Sequence, residues 1–312
     1  MVKFETPQIF DKGGGMVSES GSDEAALFES YANLQHINPE LAKKMLEEAK
    51  EILGSLGIPF FLRQGTCLGA VRDQAFIPWD DDVDLGSVIG LNGLAEDMLD
   101  PGFNAFRDRG YYVNVERNDR WIAAGIMKSS THVDLTFFHI IDDSISHFPF
   151  IWIPARLFAN LKEIEFMGGK YLAPNPPEEY LSTKYGPNWT TPKQDYEKDV
   201  LDQVAKSPAV PVASTPGQLK TKIRILDRRG ESVRGAEVFV VGIADACADE
   251  NGYVEFGLPY KDFYAVVINF DDHEEILYQE LMSPGSSYVY TSDISTSNGR
   301  LMALTEELEV AP

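Results

Sequence analysis

The chain has 312 residues, enough for two domains, and its 44% hydrophobic content is ordinary for a globular protein. A net charge of −22, shared by both halves, repels a nucleic-acid backbone and argues against a DNA or RNA partner. No run approaches the roughly 18 apolar residues of a membrane span, no signal-peptide pattern opens the chain, and the only cysteines, Cys67 and Cys247, suit a reducing compartment, so a cytoplasmic protein is expected.

Residues 1–37, with Gly13-Gly14-Gly15 and a Ser/Glu/Gly run, read as a poorly ordered segment with little to bury. A helix then starts at Asn38, an N-cap residue followed by Pro39, and closes at Gly57. Leu41, Met45, Ile52 and Leu56 recur at helical spacing, widened by Leu46, Ala49 and Leu53, while lysines and glutamates fill the wet side. A short apolar strand at 58–62 leads to a Gly65-Thr66 turn, and a brief helix is expected over 66–73. Polar and apolar residues alternate at 82–85, which predicts a strand. Further strands at 111–116, 121–127 and 132–138 rest on their aromatic and β-branched content, with Arg117-Asn118-Asp119 as a turn. The proline-rich 171–177 reads as a fixed loop.

An Ala/Pro/Ser-rich stretch at 205–216 is a semi-rigid linker. Beyond it, short strands at 220–226, 236–241, 252–256 and 263–270, separated by Asp- and Gly-containing turns, predict a small all-β sandwich over 217–295. A helical tail at 301–308 falls within a final segment, 296–312. The expected organisation is therefore an α+β domain at 38–204, built on a mixed sheet with flanking helices, followed by the linker and the β-sandwich.

Asp82 and Asp84, two apart in a strand, point to one face, while Val83 and Leu85 point into the core. Two adjacent carboxylates repel unless a cation lies between them, and a hard divalent ion such as Mg²⁺ or Mn²⁺ takes oxygen ligands. A calcium loop is excluded: Asp80, Asp82 and Asp84 match its first ligand positions, but Leu85 stands where glycine is required and Leu91 where glutamate is. Asp134, an acid among apolar strand residues, is the candidate third ligand, with a salt-bridged strand end as its alternative. Gly65 and Thr66, at a strand-to-helix junction, offer amides to an anion. Arg72 and Lys128 are candidate cations for the same anion, with surface ion pairing as the plain alternative, and Asp80 is a residue that could orient the acid pair. Trp79 reads as packed at the start of the strand.

Phe61-Leu62-Arg63-Gln64-Gly65-Thr66-Cys67-Leu68-Gly69-Ala70-Val71-Arg72, Ile77-Pro78-Trp79-Asp80-Asp81-Asp82-Val83-Asp84 and Val133-Asp134-Leu135 together resemble the LicD/fukutin family of the nucleotidyltransferase-like superfamily. Tyr180-Leu181, Tyr185-Gly186 and Trp189 extend the likeness, which covers about residues 40–195. The resemblance implies a nucleotidyltransferase-like fold in which Asp82, Asp84 and Asp134 hold Mg²⁺ or Mn²⁺ and the Gly65-Thr66 turn contacts substrate, beside the candidate contacts Arg72, Asp80 and Lys128 read from the residues themselves. It implies transfer of a phosphocholine or polyol phosphate from a CDP-activated donor to a glycan hydroxyl, releasing CMP. Asp73-Gln74-Ala75 departs from the histidine and glycines found in many members. Asp227-Arg228-Arg229-Gly230 and Asp249-Glu250-Asn251-Gly252 resemble transthyretin-like or carboxypeptidase-regulatory-like sandwiches, a likeness that speaks to fold and not to function. Two other readings use the same residues: a nucleotidyltransferase acting on a nucleoside triphosphate, and a non-catalytic glycan-binding or scaffold protein. Homo-oligomerisation is left open.

Overall fold

Asn38 begins the first helix in the way its side chain allows. In the computed structural model, which describes residues 36–128, 131–147, 151–194, 219–292, 300–301 and 303–307, α1 spans Pro39–Ser55. The Asn38 carboxamide oxygen accepts from the amides of Glu40 and Leu41 at 3.0 and 3.2 Å. Gly57 follows the helix with φ of +68°, a conformation that favours glycine. Ala42, Met45, Leu46, Ala49, Ile52 and Leu53 are buried. The apolar stripe is narrower than expected, because Leu41 lies at its edge and Leu56 caps the helix, and both are exposed. Asn38→Ala leaves two helix amides without their cap and is expected to cost about 1 kcal/mol, lowering Tm by roughly 2–4 °C in a thermal melt.

Five strands form one mixed sheet: β1 (Phe61–Leu62), β2 (Asp82–Val88), β3 (Tyr112–Arg117), β4 (Trp121–Lys128) and β5 (Thr131–Phe138), in the order β1-β2-β5-β4-β3. The β2–β5 pair is parallel and the other pairs are antiparallel. Asn118 makes the β3–β4 turn, its side chain accepting from the amides of Arg120 and Trp121. One face of the sheet is apolar. Val83, Leu85, Val133, Leu135, Ile122 and Ile126 are buried there, and Phe103 of α3 (Leu99–Asp108) meets the Phe137 ring with centroids 5.8 Å apart.

The opposite face carries the polar residues. Next to β1 it is covered by α2 (Gln64–Arg72), α4 (Arg156–Ala159) and α5 (Pro177–Tyr185), where Phe158 packs between Phe61 and Tyr180. Towards β3 and β4 it is more open, with Asn114, Ala123 and Gly125 half-buried. Two hairpins, β6–β7 (Ser144–His147 and Ile151–Pro154) and β8–β9 (Lys162–Phe166 and Gly169–Ala173), complete the region. The expected loop at 171–177 is only partly a loop, since its first three residues finish β9 and Pro177 opens α5.

The C-terminal region is all β. Its strands are β10 (Lys220–Leu226), β11 (Glu237–Val240), β12 (Ala244–Cys247), β13 (Tyr253–Gly257), β14 (Asp262–Phe270), β15 (His273–Met282), β16 (Ser287–Thr291), β17 (Arg300–Leu301) and β18 (Thr305–Glu306). They form two sheets, β13-β10-β16-β18 and β12-β11-β14-β15-β17, whose inward residues share one buried cluster that includes Ile223, Phe256, Val266 and Leu277. Among the described residues of the expected helix at 301–308, Leu301 and 303–307, no helical turn is present. The buried Glu280 carboxylate accepts from the amides of Ala303 and Leu304, each at 2.8 Å, just ahead of β18. Arg120, in the β3–β4 turn, forms a buried ion pair with Asp262 and lies 5.4 Å from the Tyr260 ring, joining the two regions. The expected disorder of the N-terminal segment up to residue 35 and the linker at 205–216 fall outside the described residues. Among the described residues no helix is long and apolar enough to cross a membrane. Cys67 is buried and Cys247 exposed.

Candidate active site

The register of the sheet brings the predicted acids together. In the parallel β2–β5 pair, Asp84 lies opposite Asp134 and Asp82 opposite His132, so the four side chains share one face. Gly125 of β4 stands on the other side of Asp134 and leaves that flank open. Just ahead of β2 the chain turns at residues 78–81, where the Asp80 amide donates to the Ile77 carbonyl and the Asp80 carbonyl accepts from Ile37. This turn folds Asp80 and Asp81 back beside Asp82.

Three carboxylates converge there. Each of Asp80, Asp81 and Asp82 offers an oxygen, and all three oxygens lie within 4.8 Å of one another. Asp80 Oδ2 is buried and accepts no hydrogen bond from the described residues. Burial first, and then the charges of Asp84 and Asp81, push the Asp80 carboxyl up to about 8. The Asp82 carboxyl is held well above the usual carboxylate range by burial and by Asp84, Asp134, Asp80 and Asp81. Crowded, desolvated carboxylates with an orphaned oxygen are the environment a hard divalent cation relieves, and an all-oxygen donor set fits Mg²⁺ or Mn²⁺. The converging trio includes Asp81, which the sequence reading passed over, and the spacing rule for strands could not find it because it lies in the turn.

Asp84 is held differently. Its Oδ1 accepts from Gln64 Nε2 and pairs with Arg63 Nη2, both at 3.0 Å, and its Oδ2 accepts from the Gly65 amide at 3.2 Å. The Asp84 amide donates to Thr66 Oγ1 at 2.8 Å. Burial raises the Asp84 carboxyl, and the Arg63 guanidinium pulls it back down.

These contacts revise the expected phosphate cradle. Gly65 and Thr66 lie inside the first turn of α2, which begins at Gln64 and not at Thr66. The Gly65 amide is engaged by Asp84, and the Gln64 amide donates to the Tyr180 hydroxyl at 3.0 Å. Glycine is needed at 65 for space: a Cβ there would lie 2.3 Å from Asp80 Oδ2. Arg72 ends α2 with its guanidinium on the Asp73 carboxylate, at 2.9 Å from Nε and 2.7 Å from Nη2. Lys128 lies away from the acids, on Glu48 at 3.4 Å, on the Arg109 carbonyl at 2.9 Å and over the Tyr111 ring at 4.5 Å. Its partner in β5 is Thr131, three residues from Asp134, and its contacts are those of a surface ion pair. Trp79 packs half-buried against the core.

A family model described as LicD/FKTN/FKRP, nucleotidyltransferase domain, matches residues 57–176, the span that holds every acid of this site. This region of the chain belongs with the LicD/FKTN/FKRP family. The ribitol-5-phosphate transferase FKTN of Homo sapiens is 29% identical over 170 residues, which are 50% of this chain and 34% of that protein. The ribitol 5-phosphate transferase FKRP of Homo sapiens is 28% identical over 160 residues, 48% of this chain and 32% of that protein. An uncharacterized protein of Rickettsia typhi is 26% identical over 151 residues, 47% of this chain and 45% of its own length. The chain therefore spans about a third of the length of the transferases it matches.

Proposed function

We propose that this chain is a metal-dependent transferase that moves a phospho-alcohol group from a CDP-activated donor to a glycan hydroxyl, acting in the cytoplasm. The observation that carries the reading is the acid face itself, with three converging carboxylates, the orphaned Asp80 oxygen, and Asp84 and Asp134 side by side on the adjoining strands. The FKTN and FKRP relatives, named as ribitol-phosphate transferases, favour a polyol phosphate over phosphocholine as the group to test first.

In the reaction, the acceptor hydroxyl oxygen attacks the phosphorus that carries the alcohol, the bond from that phosphorus to the CMP oxygen breaks, and CMP leaves. Asp82, with Asp80, Asp81 and Asp84, would hold a divalent cation, which when bound would supply positive charge for the diphosphate. Asp134, half-buried and flanked by Gly125, is the carboxylate placed to take the proton of the attacking hydroxyl.

The test is CMP release from CDP-ribitol, CDP-glycerol, CDP-choline and CDP-ethanolamine with Mg²⁺, alongside the nucleoside triphosphates. Release from one CDP-alcohol, lost on chelation, is the expected result. Pyrophosphate release from a triphosphate with no reaction of the CDP-alcohols would replace this reading with nucleotidyl transfer. A protein that binds no divalent cation would return the site to a non-catalytic role.

A further inference from the structure

Arg63 is buried, with only 6% of its surface exposed, yet no part of the reaction above needs a cation inside the protein at that point. It stands opposite Asp84 across the β1–β2 pair, its amide donating to the Asp84 carbonyl at 3.1 Å. Its side chain crosses three things at once. Nη2 meets Asp84 Oδ1 at 3.0 Å, Nε donates to the Leu85 carbonyl at 2.9 Å, and Nη2 reaches the Asp134 carbonyl at 3.4 Å. One planar fork thus ties the carboxylate of Asp84 to the backbones of both acid-bearing strands, β2 and β5.

The path of that side chain depends on Gly86. A Cβ at 86 would lie 2.8 Å from the Phe61 ring and 3.1 Å from Arg63 Cδ. The missing side chain gives Arg63 its passage along the sheet, beside Phe61, to the two carbonyls. Gln64 and Gly65 complete the hold on Asp84, so both of its oxygens have fixed donors.

We infer that Arg63 is a positioning residue for the metal-binding acids, its guanidinium fixing Asp84 and the β2–β5 register so that the carboxylates meet an incoming cation in a set geometry. This rests on the metal-site reading given above. Arg63 also lowers the negative potential that the cation meets, an effect of opposite sign. A lysine retains the charge but lacks the planar fork that spans carboxylate and carbonyls, so Arg63→Lys isolates the geometric part.

The probe is Mn²⁺, followed by the free-ion EPR signal, in the wild type, Arg63→Lys and Gly86→Ala, together with kcat and KM for CMP release. Partners that orient a ligand are typically worth 10–100-fold in metal affinity or activity. Arg63→Lys is expected to weaken Mn²⁺ binding about tenfold and to lower kcat by a similar factor, with KM for the donor changed by no more than about threefold. Gly86→Ala keeps Arg63 but blocks its path, and the same direction is expected. With its one added methyl group it also carries the test where Arg63→Lys does not fold, folding being checked by thermal melt. A folded variant that binds Mn²⁺ as tightly as the wild type overturns the role of Arg63 alone. A wild type that takes up no Mn²⁺ overturns the metal-site reading and this inference with it.

Discussion

Asp82→Asn is expected to reduce CMP release roughly a thousandfold while leaving the metal-free protein at least as stable as the wild type. The loss of rate follows from the several kcal/mol that a bound cation contributes to a phosphoryl transition state, each 1.4 kcal/mol being about tenfold. The retained stability follows from the crowding. Asp82 is desolvated and faces four other carboxylates, so replacing it with a near-isosteric amide removes repulsion along with function. A structural acid behaves oppositely, because its removal would strip a partner and lower Tm. The measurement is a pair of numbers on one variant, the CMP-release rate and the Tm in chelator. A variant with a lower Tm and normal turnover would show that Asp82 belongs to the scaffold.

Much of this site is legible in the chain because strand periodicity is a strong constraint. Asp82 and Asp84 alternate with Val83 and Leu85, and a period of two puts the acids on one face whatever the rest of the fold does. Asp134 is legible for a related reason, as an acid in a run that otherwise builds a core, and the register sets it directly opposite Asp84. Asp81 is not legible in this way. Its approach to Asp80 and Asp82 is made by a tertiary turn pinned through Ile37 and Ile77.

The Gly65 amide is drawn to Asp84 for a physical reason of the same kind. A glycine at a strand-to-helix junction fits both an anion loop and a close approach, and local sequence does not separate them. The distance from the position of a missing Cβ to Asp80 does. Arg72 and Lys128 show how little a lone cation says, since both meet acids already supplied by the chain, Asp73 and Glu48. In the C-terminal region the alternation of β10 is plain, with Thr221, Ile223 and Ile225 buried and Lys220 and Lys222 exposed. The tail at 301–308 looks helical by composition, yet a buried carboxylate 20 or more residues away, Glu280, claims its amides. Long-range partners, invisible to periodicity, decide such segments.

In chelator, the protein is expected to lose stability as the pH rises from about 6 to 8, and Mg²⁺ is expected to restore it increasingly over the same range. The sign follows from the acids. The folded-state value of Asp80 is raised to about 8, from an ordinary value of 3.8, so the folded state binds the proton more tightly than the unfolded chain does. Its contribution is complete below the ordinary carboxylate range and is lost as the pH climbs through the raised value. Asp82 is shifted in the same direction. Allowing for partial exposure of Asp80, the loss is of order 2 kcal/mol, or roughly 4–8 °C in Tm for a region of this size. A divalent cation needs the ionised carboxylates, so its stabilisation is small near pH 6, where protons compete, and grows towards pH 8. Asp80→Asn removes the titrating group and is expected to flatten the chelator curve and shrink the Mg²⁺ effect together. Thermal melts at four or five pH values, with chelator or with Mg²⁺, check both halves. Coincident curves across the whole range would mean that the acids neither repel one another nor receive a cation, and the proposed chemistry would lose its site.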